Sequence, residues 1–267
     1  GDALTSGQQN VALGWNALSL DTLGQRSVAI GHSTLDAQNF TTATNAYNVA
    51  VGYSAGTAVT TGIKNAMFGT LALSASTTGQ ENVAIGHQAL SADTKGQRNV
   101  AVGANALDAQ NFTTATNSQN VAVGYAAGGD VTTGIENALI GGLAGDALTT
   151  GSYNITLGGS ALGADTAGVA SIAIGYQTLQ VQNFTTATNA FNVAVGHAAG
   201  RAVTTGKENI LIGGVAGDAL TDADYNIAIG HTALGLDTLG SRSVAIGHSA
   251  LDAQNFTTAT NTYNVAV

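Results

Sequence analysis

Histidine and aspartate are the residues of this chain whose types and spacing could support chemistry at a repeated site. All five histidines directly follow the glycine that ends a recurring pentapeptide, Asn-Val-Ala-Val/Ile-Gly or a close variant. They are His32, His87, His197, His231 and His248. Three copies of one such histidine around a symmetry axis could bind a metal ion or an anion. Other repeats place tryptophan, tyrosine, alanine or glycine there, which favours an ordinary surface or packing role, so we predict no metal site.

Four aspartates recur every 72 residues, each followed by a threonine. They are Asp21, Asp93, Asp165 and Asp237. We predict that they cap turns by accepting hydrogen bonds from backbone amides. They lack the nine-residue Gly-Gly-x-Gly-x-Asp spacing of calcium-binding rolls, and no Ser, His and Asp grouping or carboxylate pair rises above the repeat pattern. We therefore predict no catalytic residues and no cofactor.

A seven-residue segment, Asn-Phe-Thr-Thr-Ala-Thr-Asn, is identical in four places, at 39–45, 111–117, 183–189 and 255–261. Two interpretations are open. The phenylalanines could plug the roll or a gap between chains, or the segments could protrude as loops that meet a glycan or a neighbouring fibre. We expect the ring of Phe40 to be buried and Thr41, Thr42 and Thr44 to be exposed. The candidate contact residues are Asn39, Phe40, Thr41, Thr42, Thr44, Asn111, Phe112, Thr113, Asn183, Phe184, Thr185, Asn255, Phe256 and Thr257.

The same segments begin with an Asn-x-Thr triplet, the acceptor sequence for N-linked glycosylation. The candidate acceptors are Asn39, Asn111, Asn183 and Asn255. A fifth triplet begins at Asn154, which we expect to be a poorer acceptor because it belongs to a repeated asparagine in a strand.

The elements that position these residues are short coils marked by the pentapeptide glycines. Successive glycines are 17 or 21 residues apart, in the order 17, 21, 17, 17, which gives a superrepeat of 72 residues. The alternating Val-Ala-Ile pattern predicts a strand, Ala89-Leu90 and its equivalents predict a short return strand, and Thr-Thr-Gly-x-x-Asn predicts a turn with a positive φ at glycine. Stacking would align the asparagines into a ladder of side-chain amides. The sequence therefore predicts an all-β fold, a β-solenoid.

The sequence also predicts a single repeat rod across 1–267, with superrepeats at 1–72, 73–144, 145–216 and a partial one at 217–267. Both ends cut through the pattern, so we expect a fragment of a longer chain. Once per superrepeat the alanine of the strand is replaced, by Met67, Leu139 and Leu211, while the residue after the glycine is small. We interpret this alanine face as outward and buried against identical chains, most simply in a trimer.

Segments 27–31 and 243–247, both Ser-Val-Ala-Ile-Gly, resemble the head repeats of trimeric autotransporter adhesins. The longer unit with Thr-Thr-Gly-x-x-Asn is similar to repeats in bacteriophage tail fibres. The resemblance covers essentially the whole chain, and it implies a left-handed β-roll that assembles as a parallel homotrimer.

Composition narrows the class of protein. The chain has a net charge of −9, only seven Lys and Arg, no cysteine and no proline. So few scattered cations cannot neutralise a row of phosphates, which argues against nucleic acid as a partner. No run approaches the ~20 apolar residues of a membrane helix, so we predict no membrane insertion in this segment.

These features predict a structural, receptor-binding or adhesive fibre shaft that is not an enzyme, located outside the cell, on a cell surface or on a virion. Its expected partners are two identical chains and, through the loops, a host-surface glycan or another fibre. Two alternatives are a subunit of a self-assembling extracellular filament and, less favoured, an ice-binding solenoid that presents ranks of threonine.

Overall fold

The structure, a computed structural model, describes all residues from 1 to 267. The chain divides into two compact units, Gly1–Ile135 and Glu136–Val267, and this boundary falls inside the second superrepeat. Neither unit contains a helix, and the strands within each pair in parallel. Each unit is therefore a parallel β-solenoid, which confirms the all-β solenoid predicted from the repeats.

In the first unit, seven strands form a parallel sheet in the order β1-β3-β5-β6-β7-β9-β11, and two short pairs, β2-β4 and β8-β10, form side sheets. The strands are β1 (Val11–Leu13), β2 (Gly24–Gln25), β3 (Val28–Ile30), β4 (Thr44–Asn45), β5 (Val49–Val51), β6 (Ala66–Phe68), β7 (Val83–Ile85), β8 (Gly96–Gln97), β9 (Val100–Val102), β10 (Thr116–Asn117) and β11 (Val121–Val123). Equivalent residues pair in register, as Ala84 does with Ala101.

In the second unit, eight strands form a parallel sheet in the order β12-β13-β15-β17-β18-β19-β21-β23, with side pairs β14-β16 and β20-β22. The strands are β12 (Ala138–Ile140), β13 (Ile155–Leu157), β14 (Gly168–Val169), β15 (Ile172–Ile174), β16 (Thr188–Asn189), β17 (Val193–Val195), β18 (Ile210–Ile212), β19 (Ile227–Ile229), β20 (Gly240–Ser241), β21 (Val244–Ile246), β22 (Thr260–Asn261) and β23 (Val265–Ala266).

The middle residue of each three-residue strand after β1 lies inside the roll. Ala29 and Ala84 are completely buried within the single chain, and so are Met67, Leu139 and Leu211, whereas Ala12 in β1 is exposed. The prediction that the alanine face points outward toward neighbouring chains is therefore wrong. Met67 is large because it fills core space next to a glycine: a Cβ on Gly56 would lie 2.6 Å from the Met67 sulfur. Leu211 fills the equivalent space beside Gly200, and Leu139 packs beside Gly145 of the next coil.

The residues on either side of the middle one point outward, because side chains alternate along a strand. We call these outer residues of the three-residue strands the outer strand face. Every one of them is Val, Ile, Leu, Ala or Phe, from Val11 to Ile246. Many remain exposed, including Ile85 at 40% and Leu157 at 48%.

The predicted return strand is also wrong, since Ala89-Leu90 lies in a turn. Leu90 has a φ of 53°, in the left-handed region that a strand cannot use. Its side chain is nevertheless fully buried, and its amide donates to the carbonyl of Ala106 in the next coil at 2.9 Å. Left-handed leucines recur at this place, for example Leu18, Leu73 and Leu107, because the turn aims the side chain into the core.

Two glycine positions of the coil are glycine for different physical reasons, and the second of them is asparagine or alanine in some coils. Gly86 has a φ of 137°, and a Cβ there would lie 2.5 Å from the carbonyl oxygen of Gly103. Gly62, in the Thr-Thr-Gly turn, does not have the predicted positive φ. It is required by close approach instead, because a Cβ would lie 2.4 Å from the Gly79 carbonyl oxygen. The left-handed residue of this turn is Lys64.

The repeated asparagines form a buried ladder, as predicted, but most of its bonds join side chains to backbone. Asn48 Oδ1 accepts from the amide of Asn65 at 3.0 Å, and Asn48 Nδ2 donates to the carbonyl of Gly62 at 2.8 Å. Asn65 repeats both contacts one coil later. Each asparagine thus satisfies backbone groups of the following coil, which stabilises the stacking.

Candidate functional site: the Asn-Phe-Thr loops

The loops are the segments 39–45, 111–117, 183–189 and 255–261, which include the four extra residues of each 21-residue coil. The last two residues of the first loop form strand β4, in which Thr44 pairs with Gly24 and Asn45 with Gln25 of β2 in the preceding coil. The same side sheet accompanies the other three loops. The insertion therefore has a defined backbone path in each copy.

A buried carboxylate holds the base of each loop. Asp21 Oδ1 accepts from the amide of Gly24 at 3.0 Å and from the amide of Phe40 at 3.3 Å. In the second unit Asp165 makes the same two contacts, each at 3.0 Å. The predicted turn-capping role is confirmed, and it extends to the first residues of the loop. Asp21 and Asp165 are fully buried and take part in no ion pair.

Glutamine connects this carboxylate to the asparagine ladder. Gln38 Nε2 donates to Asp21 Oδ2 at 2.7 Å, and its Oε1 accepts from Asn48 Nδ2 at 2.8 Å. Gln182 connects Asp165 to Asn192 in the same way. We call each such set, for example Asp21, Gln38 and Asn48, a polar clamp. Burial raises the pKa of Asp165, although hydrogen bonds from Gln182 and the Phe184 amide act in the opposite direction.

The loop side chains divide as expected between core and solvent. Phe40, Phe112 and Phe184 are buried at 6%, 7% and 6% exposure, and Phe256 is half-buried. The rings of Phe40, Phe112 and Phe184 face inward, so these three are not available as contact residues for a partner. Asn39, Thr41 and Thr42 are exposed and Thr44 is partly exposed. A surface contact at these loops would therefore be made by amide and hydroxyl groups.

Threonine hydroxyls brace the loop from the preceding coil. Thr22 Oγ1 contacts the carbonyl of Phe40 at 3.0 Å and Asn39 Oδ1 at 3.1 Å. Thr44 Oγ1 donates to the carbonyl of Thr42 at 3.0 Å across the loop tip. The loop is held by its own coil and by the coils before and after it, the latter through the Asn39 amide and the Thr60 carbonyl.

Four of the five histidines, His32, His197, His231 and His248, stack with other rings on the surface, and none is bonded to a loop residue. The ring centroids of Trp15 and His32 are 4.8 Å apart, and those of His32 and Tyr53 are 5.2 Å apart. In the second unit His231 and His248 stack at 5.4 Å. No group of three or more His, Cys, Asp or Glu side chains could hold a metal ion.

Sequence reasoning missed two features that bear on function. One is the glutamine of the polar clamp, although Gln38 follows Asp21 by one 17-residue coil and the same pair recurs in all four superrepeats. The other is the outer strand face, since the sequence predicts an outward alanine face instead. Alternation alone indicates two faces and does not say which of them points inward.

No family model and no curated protein matches this chain. The structure also contains no helix of the length and apolarity that crossing a bilayer would require.

Proposed function

We propose that this chain is a non-catalytic segment of an extracellular fibre, on a cell surface or a virion, in which three identical left-handed β-rolls associate side by side. The observation that carries the proposal is the outer strand face. Its residues are all apolar, and exposed members include Phe68, Ile85, Ile155 and Ile212. Contiguous apolar surface of this kind usually marks an interaction site in soluble proteins.

A further copy of the same chain is the partner that fits this face best. Within each unit the face is a regular run of apolar residues without charge, and the same unit of another copy has the same coil spacing of about 4.8 Å. Parallel association would bring equivalent coils to the same height, so the side chains of each coil would meet those of the same coil in another chain. In a trimer, the three outer strand faces would point toward one axis. The side sheets and the loops that they carry would take no part in the contacts between chains.

The loops supply the adhesive part of the proposal. Their exposed groups are hydroxyls and amides, the groups that recognise sugars or polar protein surfaces through hydrogen bonds. Each chain carries four copies, and a trimer would multiply them, so weak single contacts with a host-surface glycan or another fibre could add.

The ice-binding alternative has less support. A lattice-matching surface needs free hydroxyls, but the regularly spaced threonines use theirs between coils. Thr60 Oγ1 donates to the carbonyl of Thr77 at 3.0 Å, and Thr77 Oγ1 donates to that of Thr94 at 3.2 Å.

The oligomeric state tests the assembly. Sedimentation or light scattering should give three times the chain mass of 26.4 kDa. Ile85→Asp should dissociate the trimer with the circular dichroism of the roll retained, since it places a carboxylate in an apolar contact. The matched control is Thr42→Asp in the exposed loop, which should leave the mass unchanged. A well-behaved monomer of the unmodified chain would contradict the proposal, and open-ended assemblies would favour the filament alternative.

The adhesive role needs a separate measurement. Replacing Thr41, Thr42, Thr44 and their equivalents with alanine should abolish binding to an array of cell-surface glycans while the melting temperature changes little. By contrast, Phe112→Ala should lower the stability by roughly 3 to 5 kcal/mol, because it empties a buried site. Unchanged glycan binding by the threonine variant would show that the loops are not the contact surface.

A further inference from the structure

The five Asn-x-Thr triplets lie in two different environments. Four are at the start of the loops, and the fifth, Asn154 to Thr156, includes the first two residues of strand β13. The sequence is the same type in all five, so any difference in reactivity must come from the fold.

In the loop triplets, the buried phenylalanine forces its two neighbours outward. Asn39 and Thr41 flank Phe40 and are both exposed. Asn39 uses only its side-chain oxygen, which accepts from Thr22 Oγ1 at 3.1 Å. Its amide nitrogen makes no hydrogen bond, and neither does the hydroxyl of Thr41. The copies at Asn111 and Asn183 accept the same threonine contact at 3.0 and 3.1 Å.

The loop backbone is anchored without help from those free groups. The amide of Asn39 donates to the carbonyl of Thr60 at 3.0 Å, and the amide of Phe40 is held by Asp21. A substituent on the asparagine nitrogen would therefore break no bond of the fold, and the Asn39 oxygen would keep its contact with Thr22.

Asn154 is the opposite case. It is fully buried, its Nδ2 donates to the carbonyl of Gly168 at 2.9 Å, and its Oδ1 accepts from the amide of Ser171 at 2.9 Å. Thr156 is 1% exposed. Neither group of this triplet can be reached without opening the roll.

We propose that Asn39, Asn111, Asn183 and Asn255 are acceptor sites for N-linked glycosylation on the folded chain, and that Asn154 is not. The donor is an activated sugar, such as a nucleotide-linked hexose, used by a separate transferase. The bond between Nδ2 and sugar C1 forms as the bond between C1 and the donor phosphate oxygen breaks. The amide nitrogen releases one proton to the transferase, and the nucleotide diphosphate leaves. The proposal does not depend on self-association or on the adhesive role of the loops.

The test uses the folded full chain, a soluble asparagine glucosyltransferase specific for Asn-x-Ser/Thr, and UDP-glucose. Mass spectrometry of intact protein and of peptides should show up to four added hexoses, at Asn39, Asn111, Asn183 and Asn255, and none at Asn154. Asn111→Gln and Thr113→Val should each remove one hexose and leave the other three.

Two synthetic peptides, one around Asn111 and one around Asn154, serve as matched controls and should both be modified, since neither is folded. Accepted peptides with an unmodified folded chain would overturn the proposal. Equal modification of Asn154 and Asn111 in the intact chain would also overturn it, because exposure would then not decide the site.

Discussion

The seventh residue after the pentapeptide glycine is aspartate, glutamine or, once, serine in some coils and valine or leucine in others, yet it is buried in both kinds except at the partly exposed Gln254. Asp21 and Val59 occupy this position two coils apart in the first unit, and both are completely buried. Around Asp21, every oxygen of the carboxylate has a donor, from Gln38 and from backbone amides. Val59 has an apolar side chain, which needs no hydrogen-bond partner.

The two kinds of coil fill the core with different pairs of residues. A coil with the polar clamp carries a left-handed leucine, such as Leu18, three positions earlier. The coil of Val59 has Gly56 at that place and Met67 in its strand, with the methionine sulfur where a Cβ of Gly56 would be. Volume is conserved when leucine and alanine are exchanged for glycine and methionine, which is the type of change that cores tolerate.

The difference shows what the polar clamp is for. Apolar coils reach full burial without it, so stacking alone does not require a buried carboxylate. The clamp occurs where a 17-residue coil meets a 21-residue coil, and its Asp bonds the amide of the loop phenylalanine in each copy. We infer that it exists to fix the loop, and that the identical loop sequences reflect the fit of Phe and the clamp.

The largest expected effect comes from placing the polar residue in the apolar coil. Val59→Asp buries a carboxylate that lacks the glutamine of the following coil and the loop amide bonded to Asp21, and should lower the free energy of unfolding by about 4 kcal/mol or more. Urea denaturation followed by tryptophan fluorescence of Trp15 measures the change. Val59→Ala is the control; it creates a cavity without a charge and should cost about 2 kcal/mol. Equal losses from the two variants would mean that Asp is accommodated there and that the two kinds of coil do not differ.

Breaking the clamp is the converse experiment and should have a smaller effect. Gln182→Leu removes the donor to Asp165 Oδ2 and the acceptor of Asn192 Nδ2, so two buried groups lose a partner. We expect a loss of about 2 to 3 kcal/mol. Hydrogen exchange should become faster in 183–189 while strand β13 stays protected. Gln180→Leu, a partly exposed glutamine two residues earlier, should change neither quantity.

The spacing of glycines was sufficient to predict the coil lengths, the strands and the asparagine ladder, because stacking requires equivalent residues at equal positions. The capping role of Asp21 followed from its residue type beside a turn. The burial of Phe40 was expected because an aromatic ring between polar residues has little reason to be exposed. These predictions depend either on the repeat spacing or on the chemistry of neighbouring residues within one coil.

The two wrong predictions, the strand orientation and the return strand, depend on contacts that hydrophobic alternation does not describe. The orientation of the strand was misassigned because Met67 could be interpreted only together with Gly56, eleven residues earlier and adjacent across the core. The turn at Leu90 was predicted as a strand because leucine rarely adopts a positive φ, and only burial in a stacked core offsets that preference. Neither contact can be recognised from hydrophobic alternation.

The pH dependence of the melting temperature tests the effect of the buried carboxylate that distinguishes the clamped coils from the apolar ones. Burial raises the pKa of Asp165 above its ordinary value of 3.8, so the folded chain binds this proton more tightly than the unfolded chain does. Its stabilising contribution is complete below pH 3.8 and is lost as the pH rises through the raised pKa. Burial raises the pKa of Asp108 and Asp218 in the same direction. The melting temperature should therefore be higher near pH 4 than at pH 7.

Asp165→Asn should reduce this difference in melting temperature, whatever it does to the melting temperature itself, because the substituted side chain does not titrate. Glu81 works in the opposite sense, since Arg98 and Lys64 lower its pKa, but it is exposed and should contribute little. A melting temperature that falls on acidification from pH 7 to pH 4 would contradict the sign of the Asp165 effect.

The smallest expected effect concerns a polar group that lies in an apolar coil without a clamp. Thr156 is the middle residue of strand β13, where other strands have alanine, methionine or leucine, and its buried Oγ1 has no hydrogen-bond partner. Thr156→Val keeps the shape and removes the unpaired hydroxyl, so it should raise the stability by about 1 kcal/mol. Thr166→Val is the matched control, because Thr166 Oγ1 contacts the carbonyl of Phe184 at 2.9 Å, and it should lower the stability by a similar amount. If both variants shift the urea midpoint in the same direction, hydrogen bonding is not what separates the clamped coils from the apolar ones.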